Sequence, residues 1–102
     1  MQITGNSTEY TLLIGKEILQ CLVGVTDSEQ AAKKEYKNQI QNYPVIPTAQ
    51  VKDLGDEAVL YKVDRSEENS IIFRKSNVVV LIQGPTLAIS EGLAREIAGL
   101  IP

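Results

Sequence analysis

Three carboxylates crowd a single glycine in the stretch Asp53-Leu-Gly-Asp-Glu57. Oxygen ligands so close together are a set that a hard cation such as calcium would use. The spacing is not that of an EF-hand loop. The same residues suit a turn in which Gly55 takes an unusual backbone angle and Asp56 caps the strand that follows. Whether Asp53, Asp56 and Glu57 bind a cation stays open at this level. Two carboxylates working as acid and base need one member desolvated in a cleft, and every acidic residue here falls in a loop or on the polar side of a helical pattern. There is no histidine, and Cys21 is the one cysteine. That inventory excludes Ser-His-Asp and Cys-His systems, histidine ligation of a metal and an internal disulfide.

The remaining reactive side chains read as structural. Cys21 lies on the apolar face of a strand with no flanking cation to lower its pKa, so it is expected to be a small core residue. Lys33, Lys34 and Lys37 alternate with Glu29 and Glu35 and form a solvated helix face. Tyr10, Tyr36, Tyr43 and Tyr61 are spread along the chain, which suits core packing with hydroxyls at the rim better than an aromatic platform. Arg74 and Lys75 are expected at an exposed edge, where charge discourages pairing between sheets. Asn6-Ser-Thr8 matches the N-glycosylation sequon, which has meaning only outside the cytoplasm. No catalytic, cofactor-binding or metal residue is assigned, no cofactor is expected, and the chain is not expected to be an enzyme.

The elements that carry these residues follow from period and punctuation. Tyr10-Thr-Leu-Leu-Ile14 and Glu17-Ile-Leu-Gln-Cys-Leu-Val-Gly-Val25 flank Gly15-Lys16, a dipeptide suited to a type II′ hairpin turn. The register sets Ile14 opposite Glu17, Leu12 opposite Leu19 and Tyr10 opposite Cys21, with Tyr10, Leu12, Leu19, Cys21, Val23 and Val25 on one face. A short helix over residues 16–23, with Ile18, Leu19, Leu22 and Val23 inward, is the competing reading. Asp27-Ser-Glu-Gln30 resembles a capping box, and Ala32, Tyr36, Ile40 and Tyr43 form the inward stripe of the helix it opens. Pro44 and Pro47 end that helix and make residues 43–50 an extended connection. Residues 57–63 form a strand. Residues 70–74 and 78–82 form a hairpin across Lys75-Ser76-Asn77, where Asn77 tolerates a left-handed backbone. Val78 to Ile82 is apolar at every position, as in a central strand covered at least partly on both faces. Ile89, Leu93, Ile97 and Leu100, beside Ala94 and Ala98, mark a second helix, capped by Thr86 or Ser90, with Glu91 and Arg95 as an exposed pair.

The expected fold is therefore α+β, with an antiparallel sheet of about five strands in the order ββαβββα and both helices on one face. Strand order stays open, because the crossover over residues 43–50 reaches either side of the first hairpin. With 102 residues, 43% of them hydrophobic and 23% charged, the chain has the composition of one globular domain. Its net charge of −3 and pI near 4.9 give no positive field for a nucleic-acid backbone. No apolar run approaches the ~20 residues a bilayer-crossing helix needs, so membrane insertion by this domain is not expected. The start is polar and unlike a secretory signal, and the last apolar pattern runs to Pro102 without a tail. Residues 1–102 are expected to be one domain excised from a longer chain.

Val51-Lys-Asp-Leu-Gly-Asp-Glu-Ala58, then Ile71-Ile-Phe-Arg-Lys-Ser-Asn-Val-Val-Val80, then a closing helix with Leu93-Ala94 and Ile97 resembles a pattern in extracytoplasmic domains of bacterial and archaeal surface lipoproteins. A looser likeness is to sensor-type extracellular domains of bacterial serine/threonine kinases. The resemblance covers about half of the chain. Ser76 stands where that pattern usually has glycine. No catalytic residue is carried over. The resemblance implies a location at the cell surface and a sensing or interaction role. The expected function is a non-catalytic module that binds a small ligand or another protein through its sheet or loops. The alternative is an intracellular structural or regulatory module that forms a homodimer through the edge strand over residues 10–14. Both readings lean on the premise that two apolar helical stripes cover one side of the sheet and use nearly all the apolar residues.

Overall fold

The computed structural model of the chain describes residues 6–14, 17–43, 49–62 and 69–101, giving only the backbone at 6–14 and Glu17. The order is β1 (Asn6–Ile14), β2 (Glu17–Val25), α1 (Glu29–Asn42), β3 (Ala49–Gln50), β4 (Glu57–Lys62), β5 (Asn69–Lys75), β6 (Val78–Gly84) and α2 (Leu87–Leu100). All pairings are antiparallel, in the spatial order β1-β2-β6-β5-β4-β3. The α+β class and the succession of elements agree with the sequence reading, with the two-residue β3 added at one margin. The crossover after α1 thus delivers the chain to the edge opposite β1.

β1 and β2 pair in the expected register, Leu12 opposite Leu19 and Tyr10 opposite Cys21, and residues 17–25 are strand rather than helix. The Gly15-Lys16 turn lies outside the described residues. Ser28, one residue later than expected, caps α1 by accepting a hydrogen bond from the Ala31 amide. Gln30 therefore plays no part in a capping box. Thr86 caps α2, and Ser90 is buried inside it.

The helices lie on opposite faces of the sheet, which overturns the expected one-sided sandwich. Ala94 and Ala98 of α2 pack with Leu19, Cys21, Ala58, Ile71, Phe73, Val80 and Ile82. Ala32 and Tyr36 of α1 pack with Val59, Tyr61, Ile72, Val79 and Leu81. Side chains alternate along a strand, so Ile71 and Phe73 face α2 while Ile72 between them faces α1. A strand apolar at every position has two faces to hide, and each helix hides one. The premise of a single covered face goes with it, and packing alone no longer argues that no reactive apparatus remains.

Small residues run down the centre of α2. Ser90, Ala94 and Ala98 are buried against the sheet, whereas Leu100, expected inward, is 83% exposed. Gly84 lets this helix approach closely, since a Cβ there would stand 2.2 Å from Ser90 Oγ. On α1 the stripe holds, but Glu35, expected on the polar side, is buried as well, and so is Gln39. At i and i+4 they extend the stripe, and Gln39 points its amide into the packed layer with neither polar atom partnered.

Candidate functional site

The carboxylate turn is drawn into the protein by a cation of its own. Arg74, expected at an exposed edge, is 4% exposed in the interior strand β5. Its Nε donates to Glu57 Oε2 at 2.6 Å, and its Nη1 donates to Asp56 Oδ2 at 3.2 Å and to the Ser76 carbonyl at 3.0 Å. Glu29, in the first turn of α1, adds a third carboxylate 3.5 Å from Nη1. The N-terminal end of α1 favours this gathering of negative charge. Three carboxylates hold the guanidinium charged, and its pKa is raised despite a burial that works the other way.

Backbone geometry fixes the knot. Gly55 has φ of 61°, and a Cβ there would lie 2.6 Å from the Arg74 carbonyl. That carbonyl accepts the Asp56 amide at 2.7 Å. Asp56 Oδ2 also accepts the Ser76 amide at 2.8 Å. The unusual angle expected at Gly55 is present, and a second one falls on Asp53, with φ of 59°. In the β5–β6 turn the positive angle belongs to Ser76 (φ 53°) rather than Asn77. Asn77 instead donates its side-chain amide to the Thr26 carbonyl. The positive charge that Asp56 and Glu57 face is therefore Arg74. Asp53 lies on the surface, where its carbonyl accepts from Arg95 at 2.9 Å. Among the described residues no group of three His, Cys, Asp or Glu side chains is placed to hold a metal ion.

Cys21 is buried, and burial pushes its thiol up to about 11, so it stays protonated at neutral pH. Lys33, Lys34 and Lys37 are exposed. Glu91 and Arg95 form the expected surface pair at 2.7 Å. Lys75 reaches across to the Ala98 carbonyl at the end of α2. Three of the four tyrosines are not dispersed in space, and the side chain of Tyr10 lies outside what is described. Tyr43 and Tyr61 have ring centroids 4.0 Å apart, and Tyr36 belongs to the same cluster. Burial raises the Tyr36 and Tyr61 phenols, with Glu57 adding to the effect on Tyr36.

Among the described residues, three surfaces stand out as places for a partner or ligand. A cavity of about 560 Å³ lies beside β3 and β4, lined among others by Tyr36, Ile40, Val51, Glu57 and Val59. A second, of about 420 Å³, lies at the C-terminal end of α1, lined by Ile18, Gln20, Tyr43, Asn69, Ser70, Gln83, Gly84 and Pro85. The third is the outer margin of β1, which among the described residues pairs with β2 alone. Asn6-Ser-Thr8 forms the start of that strand. Sequence reasoning missed both cavities, because their lining residues are neutral or individually ordinary and come from up to four separate elements.

Among the described residues no helix is long and apolar enough to cross a membrane. No family model matches the chain, and neither the curated proteins nor the solved structures yield a match.

Proposed function

We propose that the chain is a non-catalytic protein-interaction module that accepts an extended strand of a partner protein along β1. The observation that carries this is the margin from Asn6 to Ile14, nine residues of strand that pair, among the described residues, on one side only. Two residues connect Ile14 to its partner Glu17, so that pair exchanges both backbone bonds, and Ser7, Glu9, Thr11 and Leu13 turn their amides and carbonyls outward. Exposed edges are usually blunted by proline, by charge or by shortness. This one has no proline, a single charge at Glu9 and above-average length. The non-catalytic reading is supported by how the reactive groups are spent: Asp56 and Glu57 on Arg74, and the Cys21 thiol in the core.

The second reading is a homodimer in which β1 pairs with a second β1, in an intracellular structural or regulatory role. It is favoured by the placing of that charge, since a two-fold axis through Tyr10 sets Glu9 opposite Thr11 and not opposite its own copy. Light scattering at rising concentration, on the chain and on Thr11→Pro, separates the two. A monomer that captures an extended peptide, with capture lost in Thr11→Pro, supports the module. A dimer broken by the same change supports the second reading. Peptide capture that Thr11→Pro leaves intact removes β1 as the docking edge.

An extracytoplasmic setting is part of the first proposal and rests on the likeness of residues 51–58 and 71–80 to surface lipoprotein domains. A signal sequence with a lipid-attachment cysteine upstream in the reading frame supports it. A translation start at Met1 argues for the cytoplasm.

A further inference from the structure

The face beneath α1 changes character along its length. At the N-terminal end of the helix lies the charged knot of Arg74 with Glu29, Asp56 and Glu57. The middle is apolar, with Ala32, Val59, Ile72, Val79 and Leu81. At the C-terminal end the register sets Gln20 opposite Gln83, Gln83 opposite Ser70 and Ser70 opposite Tyr61. Paired residues share a face, so these four form a row of neutral polar side chains across four strands.

We infer that the part of this row formed by Gln20, Gln83 and Ser70, roofed by Tyr43, is a binding site for a neutral, hydroxyl-rich small molecule of the pyranose sugar type. The cavity holds about 420 Å³ and no lining side chain carries a formal charge. That volume falls in the roughly 300–1,000 Å³ range of small-molecule sites. Gln20 and Gln83 are exposed, and each amide both donates and accepts, as does each hydroxyl of a sugar. Tyr43 Oη donates to Ser70 Oγ at 2.7 Å, which leaves the Ser70 proton to give to a ligand. Tyr61 does not line the cavity; its ring packs against that of Tyr43, with centroids 4.0 Å apart, and supports it. Ile18, Pro85 and the Tyr43 ring supply apolar surface for the C–H face of a sugar ring. The C-terminal end of α1 closes on this cavity at its cap residue Tyr43, and its carbonyls disfavour an anion. The site lies on the broad face of the sheet and is independent of what docks along β1.

The test is NMR titration of the whole chain with glucose, galactose and N-acetylglucosamine, beside glucuronate, glucose 6-phosphate and acetamide. The inference expects one or more neutral sugars to move the side-chain amide signals of Gln20 and Gln83. It expects Gln20→Leu and Gln83→Leu, at exposed positions, to keep the backbone spectrum and weaken binding by about threefold to tenfold, the worth of one or two hydrogen bonds. The charged sugars should bind more weakly than the neutral ones. No shift from any neutral sugar at about 50 mM, a concentration that reveals even very weak binding, overturns the inference. So does binding that neither variant weakens, preference for a charged sugar, or response to acetamide alone.

Discussion

Arg74 Nε stands 2.6 Å from Glu57 Oε2, and these two residues face each other across the β4–β5 ladder. The pair ties the middle of the sheet to the turn before β4, and Glu29 extends the tie to α1. Arg74 is almost wholly buried, while the Asp56 and Glu57 side chains are 45% and 38% exposed. Arg74→Ala is expected to lower stability by about 2 kcal/mol. This is less than the ~3–5 kcal/mol of breaking a fully buried pair, because the carboxylates left behind can regain water. Urea unfolding checks it, and a midpoint equal to that of the parent chain contradicts it.

Gly84 and Ser90 make a second close relationship. A Cβ at position 84 would meet Ser90 Oγ at 2.2 Å, with Leu19 Cδ2 next at 3.3 Å. Gly84→Ala is expected to cost about 1–3 kcal/mol, as overpacking does. Ser90→Ala removes both the clashing atom and a buried hydroxyl without a partner, so alone it is expected to be neutral or stabilising by about 1 kcal/mol. Combined, the two changes should cost less than the sum of their separate effects. Strict additivity in the double-mutant cycle shows that the contact is not the reason for glycine.

Gln39 is 1% exposed, and both polar atoms of its amide lack a partner. Replacing it by Met keeps the length of the side chain and removes the unmet demand. Gln39→Met is expected to raise stability by about 1–2 kcal/mol. A fall in the thermal midpoint would mean that the amide is satisfied in solution.

Alkaline pH should weaken the fold. The Cys21 thiol has an ordinary value of 9.0 and is pushed up to about 11 by burial. Between these values the unfolded chain holds fewer protons than the folded one, so stability falls as pH rises through that window and is unaffected below it. The raised Tyr36 and Tyr61 phenols act in the same direction at higher pH. Urea midpoints measured from about pH 8 upward should decline beyond about pH 9, and Cys21→Val should flatten the first part of the decline. An identical decline in the variant removes Cys21 from the account.

Much of the architecture is legible in local pattern. The β1–β2 register follows from alternation about a two-residue connection, and Ala32, Tyr36, Ile40 and Tyr43 mark the inner side of α1 by period alone. The side of the sheet each helix covers is not a local property. The unbroken apolar run of β6 did contain the clue, since one strand with two hidden faces needs two covers. Arg74 was misplaced because a charged residue in a strand reads as exposed until its carboxylates are known, and those lie 17, 18 and 45 positions away in the chain. Glu35 escaped for a similar reason, as polarity outweighed helical phase. The neutral row of Gln20, Gln83, Ser70 and Tyr61 exists only once strand order is known, and no spacing along the chain announces it.

The order of the strands has a consequence for assembly. The first hairpin and the meander from β3 to β6 are each stitched from neighbouring stretches of chain, and among the described strands one seam joins them, the six residue pairs between β2 and β6. The Thr26 amide and the Asn77 side chain clasp one end of that seam. Closing it brings together segments separated by most of the chain, and that loop-closure entropy is met before any of its contacts form. The seam is thus the place where two copies could trade hairpins, each completing the other's sheet with no new interface to invent.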